Sequence, residues 1–144
     1  MIFQKRENFA GFMNNHEGNS AHWSEDQHQR ELFRWINGEI EKGRESFRLI
    51  GYISNGIRML RWTAVNNAGE LGLRIGMPDL YYMRPNSEFH GLFIELKSEK
   101  PTAKISGTQR EMLGLLEKQR YRTAVCRGHQ EAIEIIQDYD GKRS

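Results

Sequence analysis

The sequence predicts one mixed α/β domain, a β-sheet flanked by helices in the order α-β-α-β-β-α-β-α. Three observations carry that prediction. Apolar residues recur with helical period in some segments and as short strand-like runs in others, with turn residues between them. The 144 residues also match a single domain of roughly 150 residues, which buries about 68–70% of its unfolded surface. Residues 1–23 mix Asn, Gly and His with scattered aromatics and no period, so they are expected to form a loosely ordered arm ahead of a domain at 24–144.

The first helix starts at Ser24, where Gln27 three residues later completes a capping-box pattern. Glu25, Gln29, Leu32, Ile36 and Ile40 then share one face, so the inward stripe begins with an acid. Phe47 to Ile53 reads as a strand, Ser54-Asn55-Gly56 as a turn, and Arg58 to about Leu71 as a second helix. Asp79 to Met83 and Phe89 to Lys97 read as strands joined by Arg84-Pro85-Asn86-Ser87-Glu88, so they are expected to pair antiparallel. Ser106 and Gln109 repeat the capping-box spacing before a helix of about three turns. Tyr121 to Cys126 forms a further strand, and Ala132, Ile133, Ile136 and Tyr139 mark a closing helix.

Composition excludes several classes. No apolar run approaches the ~18 residues needed to span a membrane, and the chain is expected to carry no secretory leader. A single cysteine, Cys126, cannot form an internal disulfide, which fits a reducing cytoplasm. The five histidines show no paired Cys/His spacing for structural zinc. Charge is unevenly spread. Residues 97–128 hold eight basic side chains against three acidic ones, suited either to a phosphate backbone or to an ordinary solvated helix face.

The chemistry concentrates at Asp79 and at Glu95-Leu96-Lys97. Strand alternation points Glu95 and Lys97 to one face and Leu96 to the other. An acid and a base beside Phe93, Ile94 and Leu96 are costly to desolvate unless paired or ligated. The hairpin brings Asp79 within reach of Glu95. Two close carboxylates repel, and a divalent cation between them removes that repulsion. Oxygen-only ligands select Mg²⁺ or Mn²⁺. The competing explanation is an edge-strand salt bridge between Glu95 and Lys97.

Gly76-Met77-Pro78-Asp79-Leu80, Gly91-Leu92-Phe93-Ile94-Glu95-Leu96-Lys97, Ser106-x-x-Gln109 and Val125-Cys126-Arg127-Gly128 together resemble the virus-type replication-repair nuclease (VRR-NUC) domain of the PD-(D/E)xK nuclease superfamily. Ser24-Glu25 with Gln29, and Ile53 to Arg58, extend the resemblance over roughly residues 24–139. It implies a restriction-endonuclease-like core. By resemblance, Glu25, Asp79 and Glu95 are metal-binding carboxylates, and the Leu96 carbonyl is a further ligand. Lys97 activates the attacking water, and Gln109 supports the lysine and the scissile phosphate. Small stand-alone members of the family occur in bacteriophages and act as homodimers on branched DNA such as four-way junctions. The implied protein is therefore a Mg²⁺- or Mn²⁺-dependent DNA endonuclease, a homodimer of the cytoplasm, or of the host cytoplasm if viral.

Alternatives stay open at this level. The same site suits a restriction-like or general endonuclease on linear duplex, and the fold suits a non-catalytic DNA-binding accessory module. Glu25 also fits a first-turn acid that favours the helix dipole, and Gln109 a capping-box partner. Arg58, Lys100, Lys104 and Arg110 are candidate DNA contacts. Trp23, Trp35 and Trp62 fit packing better than base stacking. Cys126 fits a buried strand position better than a nucleophile.

Overall fold

A computed structural model describes residues 20–53, 72 and 74–142. The helix expected over 58–71, the turn at 54–56, Arg58, Trp62 and most of the N-terminal arm lie outside them. The helices are α1 (Glu25–Glu41), α2 (Gly107–Lys118) and α3 (Gly128–Gly141). The strands are β1 (Ile50–Tyr52), β2 (Leu80–Tyr82), β3 (Leu92–Lys97) and β4 (Arg122–Arg127). They form one sheet in the order β1-β2-β3-β4, with the first three antiparallel and β4 parallel to β3. A parallel neighbour needs a crossover, and α2 supplies it.

One correction concerns the first predicted strand. Residues Glu45–Leu49 form a 3₁₀ helix, and only Ile50–Tyr52 pair with β2. Phe47 is fully buried while Arg48 and Leu49 face solvent, and Arg48 pairs with Glu45 three residues back at 2.7 Å. That spacing eclipses side chains on a 3₁₀ turn, whereas a strand would have alternated them. The partner strand also limits it, because the antiparallel register would set Phe47 opposite Pro85, which has no N–H to donate.

The core lies between one face of the sheet and helices α1 and α3. Leu80, Tyr82, Leu92, Ile94, Leu96 and Cys126 meet Leu32 and Ile36 of α1 and Ala132, Ile136 and Tyr139 of α3. Cys126 is 1% exposed and its thiol pKa is pushed up to about 12, first by burial. Away from the ends that carry Asp79 and Lys97, Asp140 ties α3 to the sheet. It accepts from the Tyr82 hydroxyl at 2.6 Å and from Arg84 Nη1 at 2.5 Å. Trp35 packs on Phe47 with ring centroids 5.5 Å apart, a packing role as expected.

Ile94→Ala, at a site 2% exposed, is expected to lower stability by about 2–5 kcal/mol. Met83→Ala, 63% exposed, should change it by less than about 0.5 kcal/mol. Urea unfolding checks both through the midpoint, with an unchanged slope.

Candidate active site

The second face of β3 carries Phe93, Glu95 and Lys97, and α2 reaches over it. Glu95 is 1% exposed and Lys97 8%, because β3 is flanked by strands on both sides and covered on both faces. Lys97 Nζ lies 2.8 Å from Glu95 Oε1 and 4.0 Å from Glu25 Oε1 at the start of α1. The charged pair is thus central, not the edge-strand bridge that would have explained it blandly.

Asp79 arrives through the strand register. Leu80 pairs with Ile94, so one further step sets Asp79 opposite Glu95 and Pro78 opposite Leu96. The ladder stops short of that pair, at Leu80 and Ile94. The Asp79 carboxylate acts as acceptor where a ladder carbonyl would have stood, with Oδ2 accepting from the Leu96 N–H at 2.8 Å. One acid therefore replaces a missing ladder acceptor and holds its charge beside Glu95.

Gln109 closes the helix cap and also reaches the buried acid, rather than the lysine. Its Oε1 accepts from the Ser106 N–H at 2.8 Å, and its own N–H donates to Ser106 Oγ at 3.2 Å, closing the capping box of α2. Its Nε2 donates to Glu95 Oε1 at 2.5 Å. The side chain is locked at one end by the cap and aims its amide at the buried acid with the other. Gly76 fixes the spacing between this helix and the Asp79 loop. Its φ is +86°, and a Cβ there would lie 2.5 Å from the Thr108 carbonyl oxygen.

The electrostatics follow from this packing. Glu95 has its carboxyl pKa raised to about 7, foremost by burial, then by the Asp79 and Glu25 charges, against the opposing pull of Lys97. Among the described residues its Oε2 is buried without a hydrogen-bond partner. No group of three Asp, Glu, His or Cys side chains among them forms a ready-made metal cage. Glu95, Lys97 and Gln109 touch directly, Glu25 approaches through Lys97, and Asp79 through the Leu96 N–H. The donor set nonetheless suits a hard divalent ion. It offers carboxylate oxygens only, a buried oxygen with spare capacity, and three acids against one lysine, a formal excess of two negative charges.

Of the candidate DNA contacts, Lys100 lines a shallow cleft with Ser24, Glu25, Asp26 and Ser98 beside this site. Lys104 and Arg110 flank the N-terminus of α2 and are exposed. His28 and His129 were not anticipated as a pair. His28 is fully buried four residues before Leu32, so the inward stripe of α1 runs His28, Leu32, Ile36, with Gln29 half-buried beside it. That i, i+4, i+8 spacing was the available signal.

The mixed α/β fold that holds this charged cluster matches a nuclease-type domain. The chain belongs to the VRR-NUC family, whose domain model matches residues 14–130. A solved structure named "VRR_NUC domain protein" superposes with a TM-score of 0.72 at 26% identity, covering 84% of this chain and 91% of that one. No curated protein matches. No described helix is long and apolar enough to cross a membrane.

Two outcomes are expected. Gly76→Ala should cost more than about 1 kcal/mol in urea unfolding, since both its φ and the Thr108 backbone oppose a Cβ. Asp79→Asn keeps an acceptor for the Leu96 N–H but removes a like charge, so Glu95 should titrate below about 7, nearer its ordinary 4.5. A ¹³C NMR titration of the Glu95 carboxyl in chelator checks the second.

Proposed function

We propose that this protein is a divalent-metal-dependent DNA endonuclease that hydrolyses backbone phosphodiesters, with branched DNA as substrate and a homodimer as the working form. The observation that carries the chemistry is Glu95. It is buried on a central strand, 2.8 Å from Lys97 Nζ, with one oxygen lacking a hydrogen-bond partner among the described residues and two further acids close enough to raise its pKa. A fold without chemistry at this position would place an apolar side chain there, because burying an ion costs several kcal/mol.

In this reading Glu25, Asp79, Glu95 and the Leu96 carbonyl hold Mg²⁺ or Mn²⁺. What such an ion supplies is Lewis acidity, which neutralises phosphoryl charge and makes water more acidic. Lys97, its ammonium group 2.8 Å from Glu95 Oε1, would orient the attacking water and stabilise negative charge that develops on the phosphate. Gln109 keeps Glu95 Oε1 engaged, which leaves the buried Oε2 as the oxygen with spare capacity. The Leu96 N–H keeps Asp79 turned toward Glu95. Lys100, Lys104 and Arg110 attract the DNA backbone and make binding strongly salt-dependent.

Branched DNA is favoured over linear duplex on the family resemblance to small junction-cutting members. A two-fold dimer would set two sites against the two symmetric strands of a four-way junction.

Lys97→Ala should reduce Mn²⁺-dependent nicking of a four-way junction by about 10²–10⁴-fold. Unchanged nicking would end the enzyme assignment, and equal cutting of the matching linear duplex would end the junction preference. Mn²⁺ should also raise the melting temperature of the wild type, and Asp79→Ala should lose that rise.

A further inference from the structure

Away from the acids and Lys97, the most constrained polar group is a pair of buried histidines. His28 is 0% and His129 7% exposed, and their Nδ1 atoms lie 2.9 Å apart. The backbone N–H of His129 also donates to His28 Nδ1, at 3.2 Å. A peptide nitrogen can only donate, so His28 Nδ1 must carry a lone pair and the His28 proton must sit on Nε2. The short contact then requires a proton on His129 Nδ1, which leaves its Nε2 to accept from the Gln130 amide at 3.4 Å. These contacts thus favour one tautomer for each ring, with both rings neutral, and set the His28 Nε2–H at a buried position without a hydrogen-bond partner among the described residues. Trp23 closes the cluster, stacking on His129 with centroids 5.4 Å apart and tilting against His28 at 5.5 Å.

Position gives this pair its meaning. His28 lies on α1 one turn after Glu25, and His129 is the second residue of α3. Farther along the two helices the contact is apolar, through Leu32 and Ile36 against Ala132 and Ile136, and such packing has no preferred direction. Two donors converging on one lone pair do have a direction.

We propose that the neutral His28–His129 pair is a latch that positions the first turn of α1, and with it Glu25, relative to Lys97 and Glu95. The role assigned to Glu25 rests on the nuclease reading above, whereas the latch itself does not. His28 and His129 act as positioning residues and touch no substrate. A second proton on His28 Nδ1 would face two N–H groups and open the latch. The charges that bear on the pair are Glu99, after β3, which favours protonation of both rings, and Glu31, on α1, which favours that of His129. Burial outweighs them and holds both rings below the ordinary 6.5. The unfolded chain therefore takes up protons first, and stability falls as pH drops below about 6.5.

The test uses the full chain. Long-range ¹H–¹⁵N NMR should show His28 protonated on Nε2 and His129 on Nδ1 at neutral pH; the reverse pattern, or titration of both near 6.5, overturns the latch. His28→Asn retains an acceptor where Nδ1 was, and His28→Leu fills the space without one. Amide exchange in residues 25–28 should accelerate at least ~10-fold in His28→Leu and stay near wild type in His28→Asn. Equal exchange in all three overturns the proposal even if no nuclease activity exists. Where nicking is measurable, His28→Leu should lose about 10–100-fold, His28→Asn should keep most activity, and His28→Leu should add nothing in a Glu25→Gln background. Additive losses would show that the histidines do not act through Glu25.

Discussion

A carboxylate and an ammonium group buried side by side at the end of β3 constrain everything around them. Taking each ion out of water costs several kcal/mol, recovered only through close contacts of good geometry. Glu95 Oε1 receives two of these, from Lys97 and Gln109. The second contact needs α2 to begin at a set height over the sheet, and the capping box of Ser106 and Gln109 sets it. Forming the helix cap and assembling the site are therefore one event.

The second acid is held where the ladder ends. Pairing stops at Leu80 and Ile94, and the Asp79 carboxylate accepts the Leu96 N–H just beyond. Gly76 lets the same loop press against the Thr108 backbone. Burial first, and then the Asp79 and Glu25 charges, raise the Glu95 pKa to about 7.

Much of this was legible in the sequence. Period-2 alternation put Glu95 and Lys97 on one face, both Ser-x-x-Gln boxes fell where they form, and the β2–β3 hairpin followed from the turn residues between its strands. What escaped prediction depended on partners distant in the chain. Phe47 to Leu49 is apolar enough for a strand, but β2 is too short to pair with it. His28 meets His129, 101 positions away, at 2.9 Å between their Nδ1 atoms. Ser20 to Trp23, assigned to the arm, instead pack on that pair and on Glu99, the Ser20 hydroxyl reaching Glu99 Oε1 at 3.2 Å. Periodicity reports which face is buried; it carries no information about which buried polar groups will meet.

The buried thiol has a practical consequence. Cys126 is the chain's sole cysteine, and with a pKa near 12 and almost no exposure it offers maleimides and oxidants essentially no thiolate. The native fold is thus chemically silent toward thiol reagents, so a cysteine placed on the rim, beside Lys104 for instance, would be the only point of attachment for a fluorophore or spin label.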